Sequence, residues 1–210
     1  MSVVLAEKFV SFNSLGNFGR LGNSMFQYAT VLGSARKTGH TPTCNISGIP
    51  LFEECFELGS VVDKISEPNL ILNEQGFEYQ EALHHLPIDA SVDLRGYFQS
   101  EKYFKHCENE IRQDFTFKQK IKDIAINKVP SEVSVSVHVR RGDYVNLQDY
   151  HFNQSKEYYN EALEKFPDYR PVFFSDDIEW CKDNFKNIKN NPVFVENEES
   201  LNLSSAHNSD

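Results

Sequence analysis

Val133-Ser-Val-Ser-Val-His-Val-Arg-Arg-Gly-Asp-Tyr144 is the stretch on which the fold turns. Valine at every second position is the period of a strand with one apolar face. The alternation stops at two adjacent arginines and Gly142, where a loop begins. Downstream, residues 155–166 read as a helix with Tyr158, Tyr159, Ala162, Leu163 and Phe166 inward. Pro171-Val-Phe-Phe174 is a short apolar strand ending in Ser175-Asp176-Asp177, residues 178–185 form a helix, and 192–195 another strand. Strands alternating with helices over short connections predict a parallel sheet covered on both faces. Such a sheet binds ligands outside the carboxyl ends of its strands.

Upstream, residues 8–14 alternate as a strand and run into Leu15-Gly-Asn-Phe-Gly-Arg-Leu-Gly-Asn23. From Ser24, apolar residues recur at helical spacing until Gly39, a C-cap. Apolar runs at 60–65 and 69–72 are short, residues 92–98 alternate as a strand, and 100–115 read as a helix capped by Ser100. A second helix over 117–128 ends at the Val129-Pro130 step, since proline biases its predecessor away from helix. The expected organisation is an N-terminal α/β domain over 1–130 and a second α/β domain over 131–210.

The 210 residues carry a net charge of -10, which argues against sequence-independent nucleic-acid binding. No apolar run is long enough to span a bilayer and the first residues lack the pattern of a signal peptide, so a cytoplasmic protein is expected. Cys44, Cys55, Cys107 and Cys181 lack the spacing of a zinc site or disulfide framework and are expected to be reduced and mostly buried.

The arginine pair carries the strongest chemical signal. A guanidinium fork matches phosphate oxygens bidentately, and Gly142 lets backbone approach an anion. Arg140 and Arg141 at a strand mouth therefore point to an anionic ligand, or else to pairs with Asp143 or another carboxylate. Gly19-Arg-Leu-Gly-Asn23 before a helix is either a phosphate-approaching loop or a tight turn. Ser175-Asp176-Asp177 offers a helix cap together with a nucleoside contact, in preference to a divalent-metal site. His84-His85 lies in polar sequence and is expected at the surface. No G-x-S-x-G motif supports acyl hydrolysis.

Gly19-Arg-Leu-Gly-Asn-Ser-Met-Phe-Gln-Tyr-Ala29, Leu94-Arg-Gly-Tyr-Phe-Gln-Ser-Glu-Lys-Tyr-Phe104, His138-Val-Arg-Arg-Gly-Asp-Tyr144, Tyr158-Tyr159 with Ala162, and Phe174-Ser-Asp-Asp-Ile-Glu-Trp180 occur in one order. Together they resemble the α-1,2-fucosyltransferase family from about residue 11 to residue 203. The resemblance implies a GT-B-like α/β fold of two Rossmann-like domains, 1–130 on the acceptor side and 131–210 a partial nucleotide-sugar-binding domain, with GDP-L-fucose as donor. It implies inverting transfer to the 2-hydroxyl of a terminal galactose in a glycan acceptor, with no metal or other cofactor. Arg140 would grip the diphosphate, with Arg141 and His138 in support, while Ser175, Asp176 and Asp177 meet the nucleoside. Gly22 and Asn23 would approach the donor from the other domain. Asp143, Asp149 and His151 are the candidate general bases, Asp143 and His151 being preferred.

Two departures from the family pattern stand out. Ser24 occupies a position where the family usually has glutamine. Residues 199–207 resemble the helix before a further family segment, so an incomplete donor domain is expected, and a GDP-sugar- or glycan-binding remnant is the alternative to an active enzyme.

Overall fold

The computed structural model describes residues 7–128, 130–146 and 152–196. The chain divides into two compact units, Met1–Gln119 and Lys120–Asp210. The division precedes Pro130, so nearly all of the helix before that proline falls in the second unit.

The first unit contains β1 (Phe9–Phe12), α1 (Leu21–Thr38), β2 (Thr41–Cys44), α2 (Pro50–Cys55), β3 (Val62–Asp63), β4 (Leu70–Asn73), β5 (Val92–Arg95) and α3 (Glu108–Asp114). Its five strands are all parallel, in the order β3-β2-β1-β5-β4. The order changes direction between β1 and β5, a topology that opens a crevice at the carboxyl ends of those strands. The core is aromatic, with Phe12, Tyr28, Phe52, Phe98 and Tyr103 fully buried. The Tyr28 hydroxyl donates to Asp114 at 2.6 Å, satisfying its polar end inside the core. Gly39 ends α1 in the left-handed region, φ 73°, and its N–H bonds to the Ala35 carbonyl at 2.9 Å.

Two expectations fail in this unit. Residues 100–115 do not form one helix: 3₁₀ turns at Glu101–Tyr103 and Lys105–Cys107 precede α3, and Ser100 makes no side-chain cap. Phe104, at φ -136° and ψ 5°, breaks the helical path between the two turns. This segment lies directly on α1, where a Cβ built on Gly33 would stand 2.3 Å from the Tyr103 carbonyl oxygen. Packing against α1 thus overrides local helix preference. His84 is also not at the surface. It is 5% exposed, its Nε2–H donates to the Tyr103 carbonyl at 2.9 Å, and its Nδ1 lies 3.1 Å from the Tyr79 hydroxyl.

The second unit holds α4 (Gln119–Lys128, beginning at the division), β6 (Ser134–Val139), α5 (Lys156–Leu163), β7 (Arg170–Ser175), α6 (Ile178–Phe185) and β8 (Val193–Phe194). The three strands are parallel in the order β6-β7-β8. Because that order runs one way, right-handed crossovers place α5 and α6 on the same face. Val137, Val139, Phe173, Tyr159, Cys181 and Phe185 form the core there. The expected cover on both faces is not found along β6 among the described residues, where Ser134, Ser136 and His138 are exposed. Of the aromatics assigned inward on a helix over 155–166, Tyr159 is buried, whereas Tyr158 is 51% exposed and Phe166, beyond the end of α5, is 41% exposed. The Ser155 hydroxyl caps α5 by accepting the Tyr158 N–H at 3.3 Å.

Candidate active site

The parallel register sets Val139 opposite Ser175, so the loops leaving β6 and β7 share one mouth of the sheet. The first loop carries Arg140, Arg141 and Gly142; the second carries Asp176 and Asp177. Arg140 Nε lies 3.2 Å from Asp176 Oδ2, an ion pair without the geometry of a directed hydrogen bond, and its guanidinium stands 4.8 Å from the Tyr144 ring. Arg141 Nε donates to Asp177 Oδ2 at 3.1 Å, and its guanidinium sits 4.1 Å above Trp180. The side chains of both pairs are 22–35% exposed, so water screens them and their net stabilisation is small.

Backbone completes the arrangement. Asp176 Oδ1 accepts the N–H of Arg141 at 2.8 Å and of Gly142 at 3.1 Å. A Cβ on Gly142 would lie 2.7 Å from Asp176 Oδ2, so glycine is required for this close approach. Asp177 caps α6, accepting the Trp180 N–H at 3.3 Å, while the Ser175 hydroxyl accepts the Asp177 N–H at 2.9 Å. The arginine-carboxylate alternative raised by the sequence is therefore realised with Asp176 and Asp177. The two guanidiniums stand over aromatic rings at the sheet mouth, partly exposed and each balanced by an aspartate. A divalent cation at the aspartates would have to displace two guanidiniums and two backbone amides. Among the described residues no group of three or more His, Cys, Asp or Glu side chains is disposed to hold a metal.

His138 is exposed on the β6 face opposite Val137 and Val139. Asp143 opens a 3₁₀ turn, Asp143–Asn146, but its side chain is outside the described residues, as are Asp149, His151 and the segment 199–207. Gly22 and Asn23 lie in the first unit, in the opening turn of α1. Gly22 faces open space; Gly19 is the constrained residue, at φ 79°, with its hypothetical Cβ inside the Asn23 side chain. Asn23 Oδ1 accepts Gln99 Nε2 at 2.6 Å, which joins the first two sequence motifs. Ser24, beside it, is buried.

Polar residues that the sequence reading left unassigned gather at the carboxyl ends of β1, β4 and β5. Buried Asp93 accepts the Ser11 hydroxyl at 2.9 Å and the Asn13 N–H at 2.8 Å, and Arg95 Nε approaches it at 3.3 Å. The Glu74 carboxylate accepts the Tyr97 N–H at 2.7 Å and the Phe98 N–H at 3.0 Å. An acid inside the otherwise apolar strand Val92-Asp-Leu94 was the available signal for Asp93; Glu74 had none.

Two parallel α/β units, one with a paired-arginine loop at its sheet mouth, define an α/β protein with a candidate ligand site at the carboxyl ends of its strands. The fucosyltransferase NodZ from Bradyrhizobium superposes with a TM-score of 0.60 at 14% identity, covering 94% of this chain and 80% of that one. The chain belongs to glycosyl transferase family 11, whose pattern matches residues 77–207. Galactoside alpha-(1,2)-fucosyltransferase 2 of Sus scrofa is 30% identical over 205 residues, 88% of this chain and 59% of the pig protein. Alpha-1,2-colitosyltransferase of Escherichia coli is 29% identical over 204 residues, covering 78% of this chain and 68% of that protein. The chain thus spans a little over half the length of the mammalian relatives it matches. Among the described residues no helix is long and apolar enough to cross a membrane.

Proposed function

We propose that the chain is an inverting glycosyltransferase of GT-B arrangement that moves L-fucose from GDP-L-fucose to the 2-hydroxyl of a terminal galactose. The observation that carries this reading is the arginine loop at the shared mouth of β6 and β7. Its chemistry suits a GDP leaving group: a guanidinium neutralises charge that grows on the β-phosphate as the glycosidic bond breaks. Arg140 serves the diphosphate directly. Arg141, stacked on Trp180, supplies a second fixed cation, and His138 is assigned beside them from the family motif alone. Asp176 shapes the loop through the Arg141 and Gly142 amides, and Ser175 and Asp177 hold the start of α6 at the nucleoside edge. Gly22 and Asn23 of the first unit are assigned to the donor from the family motif alone. Asp143 or His151 takes the acceptor proton.

Support for a guanine nucleotide comes from the NodZ α-1,6-fucosyltransferase co-crystallised with GDP, whose fold this chain shares. The fixed cations make metal unnecessary, so turnover should persist in EDTA. The colitosyltransferase relative favours one second reading, a different GDP-linked deoxyhexose as donor. The test is incubation with radiolabelled GDP-fucose and lactose, with GDP-colitose in competition. Labelled trisaccharide supports fucosyl transfer. Transfer of colitose alone moves the assignment to the second donor. GDP binding without any transfer leaves a nucleotide-binding remnant and contradicts the enzyme.

A further inference from the structure

In the first unit, the carboxyl ends of β4 and β5 and the loop after β1 border an open pocket of about 290 Å³, whose lining includes Phe18, Asn73, Glu74, Phe77, Arg95 and Tyr97. That is just below the usual range for ligand sites, about 300–1,000 Å³, and is room for a single small ring. Phe77 is 74% exposed and leans on Tyr97, with ring centroids 6.0 Å apart and planes 39° from parallel. Single exposed phenylalanines are ordinary. This one borders a pocket whose walls are held in place. Buried Gln27 donates to the carbonyls of Phe18 and Gly96, at 3.0 and 3.1 Å, tying the two loops together. Gly96, at φ 152°, packs so closely on Glu74 that a Cβ would meet Glu74 Cβ at 2.4 Å.

Charge narrows the ligand further. The Glu74 carboxylate is occupied by two backbone amides, and Arg95 is balanced by buried Asp93 through Nε. Among the described residues the Arg95 Nη groups have no hydrogen-bond partner, so they remain as donors, while Asp93 and Glu74 set two carboxylates against one guanidinium, a balance that disfavours an anionic ligand and leaves a neutral one. An exposed aromatic face beside a planar donor and an amide, Asn73, fits a pyranose, which has one face of C–H bonds and a rim of hydroxyls.

We propose that this pocket is a subsite for a neutral sugar ring of the acceptor, stacked on Phe77 with its hydroxyls toward Arg95 and Asn73. The proposal rests on the glycosyltransferase reading, and the test separates the two. Lactose binding is followed by saturation-transfer NMR and GDP binding by calorimetry, in the wild-type chain and in Phe77→Ala and Phe77→Trp. The exposed position of Phe77 leaves the core intact in both variants. Expected is lactose binding that weakens about tenfold in Phe77→Ala, the scale of one aromatic contact, and recovers in Phe77→Trp, with GDP affinity unchanged. Lactose affinity unaffected by Phe77→Ala, or no lactose binding by the wild type, overturns the subsite. Lactose binding that depends on Phe77 in a chain that ignores GDP upholds the subsite and sinks the donor reading.

Discussion

Asp176 accepts the backbone N–H of Arg141 at 2.8 Å through the same oxygen that accepts the N–H of Gly142 at 3.1 Å. Its other oxygen faces Arg140 at 3.2 Å. The carboxylate therefore sits as an internal anion in the place where backbone amides and a guanidinium converge. It shapes the loop and, under the proposed donor assignment, would compete with an incoming phosphate for the same donors.

Asp176→Asn keeps an oxygen for the two amides and removes the charge opposite Arg140, so GDP affinity should rise severalfold. Asp176→Ala frees the loop and should lower GDP affinity by about tenfold, the scale of a lost hydrogen bond to a charged group. Calorimetric titration of GDP distinguishes the two. Equal weakening in both variants would mean that Asp176 contacts the donor itself.

Gly33→Ala forces a methyl group against the backbone at Tyr103 and Phe104, 2.3 Å from a carbonyl oxygen and 2.8 Å from a Cα. Backbone cannot rotate away as a side chain can. The expected cost is about 1–3 kcal/mol, read as a fall of several degrees in the melting temperature of the first unit. A melting temperature within one degree of wild type would show that the close approach is not structurally demanding.

The first unit should lose stability on mild acidification. Burial pushes the His84 imidazole below its ordinary value, with Lys37, His106 and His85 adding to the shift and the bond to the Tyr103 carbonyl opposing it. A depressed folded-state value means that the unfolded chain binds the proton more readily. The stabilisation is complete above about pH 6.5, where the unfolded imidazole is neutral, and fades as pH falls toward the folded value. Thermal melts at pH 7.5 and 5.5 should show a drop that His84→Gln reduces. An equal drop in that variant would assign the acid sensitivity elsewhere.

Legibility in the sequence tracked the directness of the physical signal. The alternation of 133–139 gave β6 to within a residue, and α6 spans the residues read as helix, because one face of each meets a single core. β2 was hidden by Pro42. The Thr41 N–H bonds to the Lys8 carbonyl on the β1 side, so the neighbouring position points toward β3, which pairs only with Thr43 and Cys44. A proline is tolerated there because its missing donor has no partner to lose. The arginine loop was legible as a site, but its partners were not, since Asp176 and Asp177 lie 36 positions away from the respective arginines and meet them only through strand register. The pocket around Phe77 was invisible for the same reason: its walls come from three separate strand ends, and a lone exposed phenylalanine carries no pattern.

The donor assignment is decided by titrating GDP into the wild-type chain and into Arg140→Ala. Arg140→Ala removes the proposed charge-assisted partner of the diphosphate from a partly exposed position, with little effect on folding. Expected is binding by the wild type that weakens about ten- to a hundredfold in the variant. Failure of the wild type to bind GDP at millimolar concentration, or equal affinity in Arg140→Ala, would contradict the arginine loop as the donor site.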